Sequence, residues 1–177
     1  FWGFGRHNVV PDIITTGKPM GNGVPVSGLL AKSEVLAAFS DKIPYFNTFG
    51  GNPVSMAAAQ AVLKVIQEEE LQTHRKYVGG LLLKELTKLM DKHEVVGDVR
   101  GAGLFIGFEL VKDRVTKEPN KALALNLIEE LRNTHRVLTS VAGPYGNVLK
   151  LRPPLAFQTK DIDWLVGALD QALIKLK

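Results

Sequence analysis

Apolar residues are spaced differently in the two parts of this chain. In the first fifty residues they fall in short β-branched runs cut by proline and glycine, and beyond Pro53 they recur at helical spacing or in strand-length blocks. Residues 13–16 read as a buried strand, and 24–31, interrupted by Pro25 and Gly28, as a second one with Pro25 at its start, where a missing amide is tolerated. Ser33 is placed to cap a short helix carrying Val35, Leu36 and Phe39. Residues 42–52 hold Pro44, Asn47, Gly50, Gly51 and Asn52 and read as a loop.

Pro53 suits the first position of a helix, which small and apolar residues continue to about residue 70. Residues 71–91 form a second helical stretch. Leu82, Leu86 and Leu89 give it a core-facing stripe, and Gly79-Gly80 weakens it by about 1 kcal/mol per glycine. Strands follow at 95–99 and 104–111 around Gly101 and Gly103, then an amphipathic helix from residue 122 to about 133. A strand at 137–141, a turn at 143–146, a strand at 148–151 and a helix opening at Asp161 complete the pattern. Strands alternating with helices after about residue 92 predict a compact α/β domain. No internal repeat or low-complexity linker is visible.

Chemistry concentrates where the first strand ends. Gly17 stops the run and Lys18 follows at once, after which Pro19, Gly21 and Gly23 forbid regular structure. Lys18 therefore stands at a strand end on a loop able to approach a ligand closely. Position alone permits two readings: a solvated surface cation, or an amine kept partly neutral by burial and able to form a Schiff base. The segment is not a phosphate-binding P-loop, because Asp12 stands where the first glycine is required and Pro19 where a hydroxyl residue is. Gly21-Asn22-Gly23 and Gly101-Ala102-Gly103 both lack the last glycine of a dinucleotide fingerprint.

Composition narrows the function classes. The chain has no cysteine, which excludes disulfides and thiolate metal sites, and its four histidines are scattered, so a metal centre is not expected. The net charge of +4 comes from 22 basic and 18 acidic residues that are interleaved rather than clustered. Nucleic-acid binding is therefore not expected, whereas a mildly positive field suits anionic small molecules. No apolar run reaches the 18 residues of a membrane span, and no signal peptide is visible, so the expected location is the cytoplasm or an organelle matrix, without secretion or membrane partners. The chain opens on Phe1-Trp2-Gly3-Phe4 without an initiator methionine and reads as a fragment or processed product.

Four segments occur in a recognisable order. Pro11-Asp12-Ile13-Ile14-Thr15-Thr16-Gly17-Lys18, continued by Gly21-Asn22-Gly23-Val24-Pro25-Val26-Ser27-Gly28, resembles the lysine segment of the class III pyridoxal-phosphate aminotransferases. Phe46-Asn47-Thr48-Phe49-Gly50-Gly51-Asn52-Pro53, Val99-Arg100-Gly101-Ala102-Gly103-Leu104 and Leu149-Lys150-Leu151-Arg152-Pro153-Pro154-Leu155 resemble the family's next three signatures. The resemblance covers the later half of such an enzyme, closest to the alanine–glyoxylate aminotransferase 2-like and phospho-lyase branch.

It implies an α/β chain: residues 1–70 as the end of a fold-type I large domain, and 71–177 as the C-terminal small α/β domain. It implies pyridoxal 5'-phosphate as cofactor, held by Lys18 as a Schiff base. Thr48 would reach the cofactor phosphate of a partner subunit in a homodimer. The substrates would be an amino acid or amine and a keto acid.

Alternation along a strand puts Lys150 and Arg152 on one face, with Leu149 and Leu151 opposite. Many family members place an arginine three residues before the proline pair to grip a carboxylate, and here that position is Lys150, a point charge without a fork. The resemblance thus makes Lys150 and Arg152 the substrate-binding cations. It leaves open amino transfer, elimination of phosphate from an amino-phosphate, or a fragment inactive without its N-terminal half.

Overall fold

A computed structural model describes residues 1–176. Contacts divide the chain into two units, Phe1–Gln72 and Thr73–Lys177. In the first, strands β1 (Ile13–Thr16) and β2 (Gly28–Ala31) pair antiparallel, with Ile13 opposite Ala31 and Thr16 opposite Gly28. Helices α1 (Ser33–Ser40) and α2 (Pro53–Glu68) follow.

The second strand is shorter than expected. The Pro25 carbonyl accepts a hydrogen bond from Ser55 Oγ at 3.0 Å instead of joining the ladder. Ser33 is the first residue of α1 rather than its cap; Lys32 occupies the cap position and makes no side-chain capping bond. Its ammonium instead lies 2.6 Å from the Asp12 carboxylate.

This unit encloses no apolar core. Its buried residues are Gly21, Ser55 and Ala59, while Ile13, Leu29, Phe46 and Phe49 are exposed. A two-stranded ribbon of this kind is marginal in water unless something covers it.

The second unit has a closed interior. Helix α3 (Leu71–Lys92) leads to strands β3 (Val96–Ala102) and β4 (Phe105–Leu110). Then come α4 (Lys121–His135), β5 (Val141–Ala142), β6 (Val148–Leu151) and α5 (Thr159–Lys175). The sheet order is β3-β4-β6-β5, with every neighbouring pair antiparallel.

Strict alternation on β4 turns Ile106, Phe108 and Leu110 inward against Leu82 and Leu86 of α3, Leu127 and Leu131 of α4 and Leu169 of α5. Each such side chain contributes about 1.5–3 kcal/mol by leaving water. The expected strand at 137–141 survives only as Val141–Ala142. Before it, Thr139 uses its hydroxyl rather than its amide to reach the Lys150 carbonyl, at 3.1 Å. Helix α5 starts two residues earlier than expected, because the Asp161 carboxylate accepts from the Gln158 amide at 2.9 Å and Asp161 is its third residue, not its first.

Polar ties close the end of α3. The Arg114 guanidinium donates to the carbonyls of Met90, His93, Glu94 and Val96, tying the last turn of α3 to the chain that leads into β3. Buried His93 places Nε2 2.6 Å from Asp170 Oδ1 of α5, and Lys92 Nζ lies 2.5 Å from Oδ2.

Burial pushes the Asp170 carboxyl up, but the hydrogen bonds and charges of Lys92 and His93 outweigh it and hold it below the usual carboxylate range. The folded carboxyl thus ionises at lower pH than the unfolded one. Its stabilisation is complete above the ordinary carboxylate range and is lost as pH falls through the folded value. Thermal melts at neutral and acid pH should show a drop in midpoint that Asp170→Asn reduces; an identical acid drop in the variant would refute this role.

Candidate active site

The first unit builds a loop of unusual backbone around Lys18. Thr16 ends β1 with its hydroxyl 3.3 Å from the Gly28 carbonyl across the ribbon. Lys18 then begins a 3₁₀ turn, Lys18–Gly21, with φ of 52°. A non-glycine residue in the left-handed region is uncommon and persists where the surroundings fix it. They do so here: a Cβ at buried Gly21 would lie 2.6 Å from Val26 Cγ1, so the turn is folded tightly back on the segment before β2.

The Lys18 side chain lines an open cleft of about 460 Å³ with Ser27, Asn47, Asn52 and Ser55, and no carboxylate lines it. Lys18 is exposed. The burial expected for a partly neutral amine is therefore not supplied by residues 1–72, because that unit has no core and nothing in it roofs the cleft.

The far wall is a turn that ties itself. Asn47 Oδ1 accepts from the amides of Gly50 at 3.0 Å and Phe49 at 3.3 Å. Asn52 caps α2, accepting from the Ser55 amide at 3.0 Å while its Nδ2 donates to the Phe49 carbonyl at 2.9 Å. These two asparagines were not among the sequence candidates. For Asn52 the signal was present, since asparagine directly before a first-turn proline is a cap pattern. Thr48 sits exposed at the tip of this turn and does not line the Lys18 cleft.

In the second unit Lys150 of β6 and Arg152, the residue just past its end, are not buried, while Leu149 and Leu151 are. Both cations line a second groove, and Arg152 sits 6.0 Å over the Phe105 ring. On the neighbouring strands Arg100 pairs with Asp98 at 2.6 Å and with Glu109. The two carboxylates hold its guanidinium more firmly protonated than usual, with the hydrogen bond it donates to Glu109 the largest cause. Arg100 is thereby a brace between β3 and β4, not a free anion receptor.

Among the described residues no group of three or more histidine, cysteine or acidic side chains could hold a metal, and no helix is long and apolar enough to cross a membrane.

Comparison with known proteins gives one consistent result. The family description "Aminotransferase class-III" matches residues 1–173. An ethanolamine-phosphate phospho-lyase homolog of Caenorhabditis elegans is 48% identical over 93% of this chain and 35% of that protein. A mitochondrial alanine–glyoxylate aminotransferase 2 homolog of Arabidopsis thaliana is 46% identical over 99% of the chain and 36% of its own length. The chain thus spans about a third of the curated relatives it matches. Among solved structures, a phospholyase from Arthrobacter in complex with phosphoethanolamine is 41% identical with a TM-score of 0.94, over 99% of this chain and 42% of that one.

Proposed function

The chain belongs to the class-III aminotransferase family, and on that premise we propose that it is the lysine-bearing C-terminal part of a pyridoxal-5'-phosphate-dependent transaminase. The observation that carries the reading is Lys18, held at a left-handed φ at the end of β1 and facing a cleft of about 460 Å³. The residues present fit a small phosphorylated aldehyde. An amine stands at the rim, the Ser27 hydroxyl and the asparagine turn line the walls, α2 begins beside it, and no carboxylate lines the cleft to repel a phosphate.

When bound, the cofactor supplies an electron-withdrawing ring that stabilises negative charge at the substrate's α-carbon. Lys18 Nζ would hold the cofactor covalently and, when free as an amine, would move a proton at the substrate's α-carbon. A lysine does this efficiently when burial or nearby cations lower its pKa. Residues 1–72 do not bury it, so completing the site falls to the remainder of the enzyme.

In this reading residues 1–70 are the end of the cofactor-binding domain and 71–177 the small domain. Thr48, at an exposed tip, serves the phosphate of a second copy in a homodimer, and Lys150 and Arg152 meet the acid group of an amino or keto acid. A cytoplasmic or organelle-matrix location suits these substrates. The 177-residue chain alone is expected to hold the cofactor weakly.

The test is covalent capture. Borohydride reduction of the full-length protein with pyridoxal phosphate should leave the label on the peptide carrying Lys18, and the 177-residue chain should label far less under the same conditions. Label on a different lysine refutes the assignment.

A second reading, elimination of phosphate from an amino-phosphate, is favoured by Lys150 at the carboxylate-gripping position and by the phospho-lyase relatives. Phosphate release without an added keto acid would support it over transamination, and strict dependence on a keto acid would count against it.

A further inference from the structure

The turn that carries Lys18 is backed by residues 25–27, which belong to neither strand of the ribbon. A Cβ at Gly21 would lie 2.6 Å from Val26 Cγ1, and one at Gly17 would lie 3.5 Å from Ser27 Cβ, so both flanks of Lys18 rest on this segment. The turn also contacts α2. Lys18, at φ of 52°, keeps that conformation only while its surroundings fix it. Whatever fixes residues 25–27 therefore also fixes the root of the Lys18 side chain.

Ser55 is placed to do this. It is the third residue of α2 and only 8% exposed, in a unit with almost nothing buried. A helical serine commonly returns its hydroxyl to a carbonyl one turn back. The Ser55 hydroxyl instead donates to the Pro25 carbonyl at 3.0 Å, 30 positions earlier in the chain. Its amide donates to Asn52 Oδ1 at 3.0 Å, and Asn52 Nδ2 donates to the Phe49 carbonyl at 2.9 Å. Ser55 thus joins three parts of the cleft lining: the segment behind Lys18, the first turn of α2 and the asparagine turn.

We propose that Ser55 is a positioning residue for Lys18, its hydroxyl clamping α2 to the segment that backs the Lys18 turn. It acts on neither cofactor nor substrate directly. Without its oxygen the Pro25 carbonyl is released from the helix and residues 25–27 gain play. The amine then spends less time in the orientation from which it reaches the cofactor's aldehyde carbon. Because that amine ends a flexible four-carbon stem, its placement depends on a fixed root. The proposal rests on the assignment of Lys18 as the residue that takes the cofactor.

Two aldehydes separate positioning from general loosening. The full-length protein, freed of cofactor, is treated with pyridoxal phosphate or with formaldehyde, each with cyanoborohydride, and label on Lys18 is followed by peptide mass. Pyridoxal phosphate needs an oriented amine, whereas formaldehyde, small and unanchored, needs only an accessible one. Ser55→Ala should slow capture of pyridoxal phosphate at Lys18 about tenfold, the effect of one hydrogen bond. The formaldehyde rate at Lys18 should not change, nor that at Lys32, which is ion-paired with Asp12 on the same ribbon. Alanine is the best helix former, so α2 persists and the thermal midpoint should stay close to the parent's. Ser55→Thr, which keeps the hydroxyl, should restore much of the capture rate.

Equal capture of pyridoxal phosphate by the parent and Ser55→Ala would overturn the proposal. So would a parallel change in the formaldehyde rates of Lys18 and Lys32, which marks loosening of the whole ribbon. Both results leave Lys18 labelled in the parent, and the functional reading then stands. Label on a different lysine in the parent would remove both.

Discussion

Lys18→Ala in the full-length protein is expected to reduce turnover about 10⁴-fold, the upper range for loss of a positioned acid–base group. The loss should fall on turnover at saturating substrate rather than on substrate affinity, because the amine acts on the reacting proton while other groups hold the acid end. Lys18→Arg should not restore activity: a guanidinium stays protonated and forms no Schiff base.

Stability separates this from misfolding. Lys18 has φ of 52°, so Lys18→Gly relieves backbone strain and should melt no lower than the parent while being equally inactive. A glycine or alanine variant that keeps substantial turnover would remove Lys18 from the mechanism.

The second large effect is structural, and it concerns two adjacent glycines of α3. A Cβ built on Gly79 would fall 2.2 Å from the carbonyl carbon of Gly103, 2.3 Å from its oxygen and 2.6 Å from its Cα. All three are backbone atoms of the β3–β4 turn and cannot rotate aside. The helix cannot slide away freely either, because Val78 and Leu82 on either side of the contact are buried at 1% and 0% exposure. Gly103 is itself at φ of 54°, which limits how the turn can yield.

Gly79→Ala is therefore expected to destabilise the second unit by about 3 kcal/mol, at the upper end for overpacking. The thermal midpoint should fall by about 12 °C or more. Gly80 has no atom within 4 Å of its would-be Cβ. Gly80→Ala should therefore stabilise by about 1 kcal/mol through helix propensity alone. Chemical denaturation of the two variants side by side checks the pair, and equal shifts would mean that the helix does not rest on the turn as described.

These glycines show where sequence reasoning stops. Propensity assigns both the same penalty, and only the approach of a turn 24 positions later makes one indispensable and the other replaceable. The same limit applies to the strands. Ile13–Thr16 and Val148–Leu151 match their expected bounds because alternation and flanking glycine or proline are local signals. The segment after Arg136 looked like a full strand, yet only Val141–Ala142 joins the ladder, and Thr139 bonds through its side chain to Lys150, eleven positions onward.

Sequence alone determined that a lysine stands directly after a strand end, because β-branched runs, glycine and proline act through their own backbone stereochemistry; that proline and glycine leave no regular structure after it was overturned, since Lys18–Gly21 close a 3₁₀ turn. Alternation also predicted a shared strand face for Lys150 and Arg152, but the strand ends at Leu151, so only Lys150 lies on it, with Leu149 and Leu151 buried opposite. Tertiary structure decided which cations are neutralised and which stand free. Arg100 meets Glu109 through the register of β3 on β4, and Lys92 meets Asp170 through the packing of α3 on α5, while Arg136, Lys150 and Arg152 meet no acid among the described residues. Charge partners are set by distances between residues far apart in the chain, and those distances exist only once the helices and the sheet have closed on their common core.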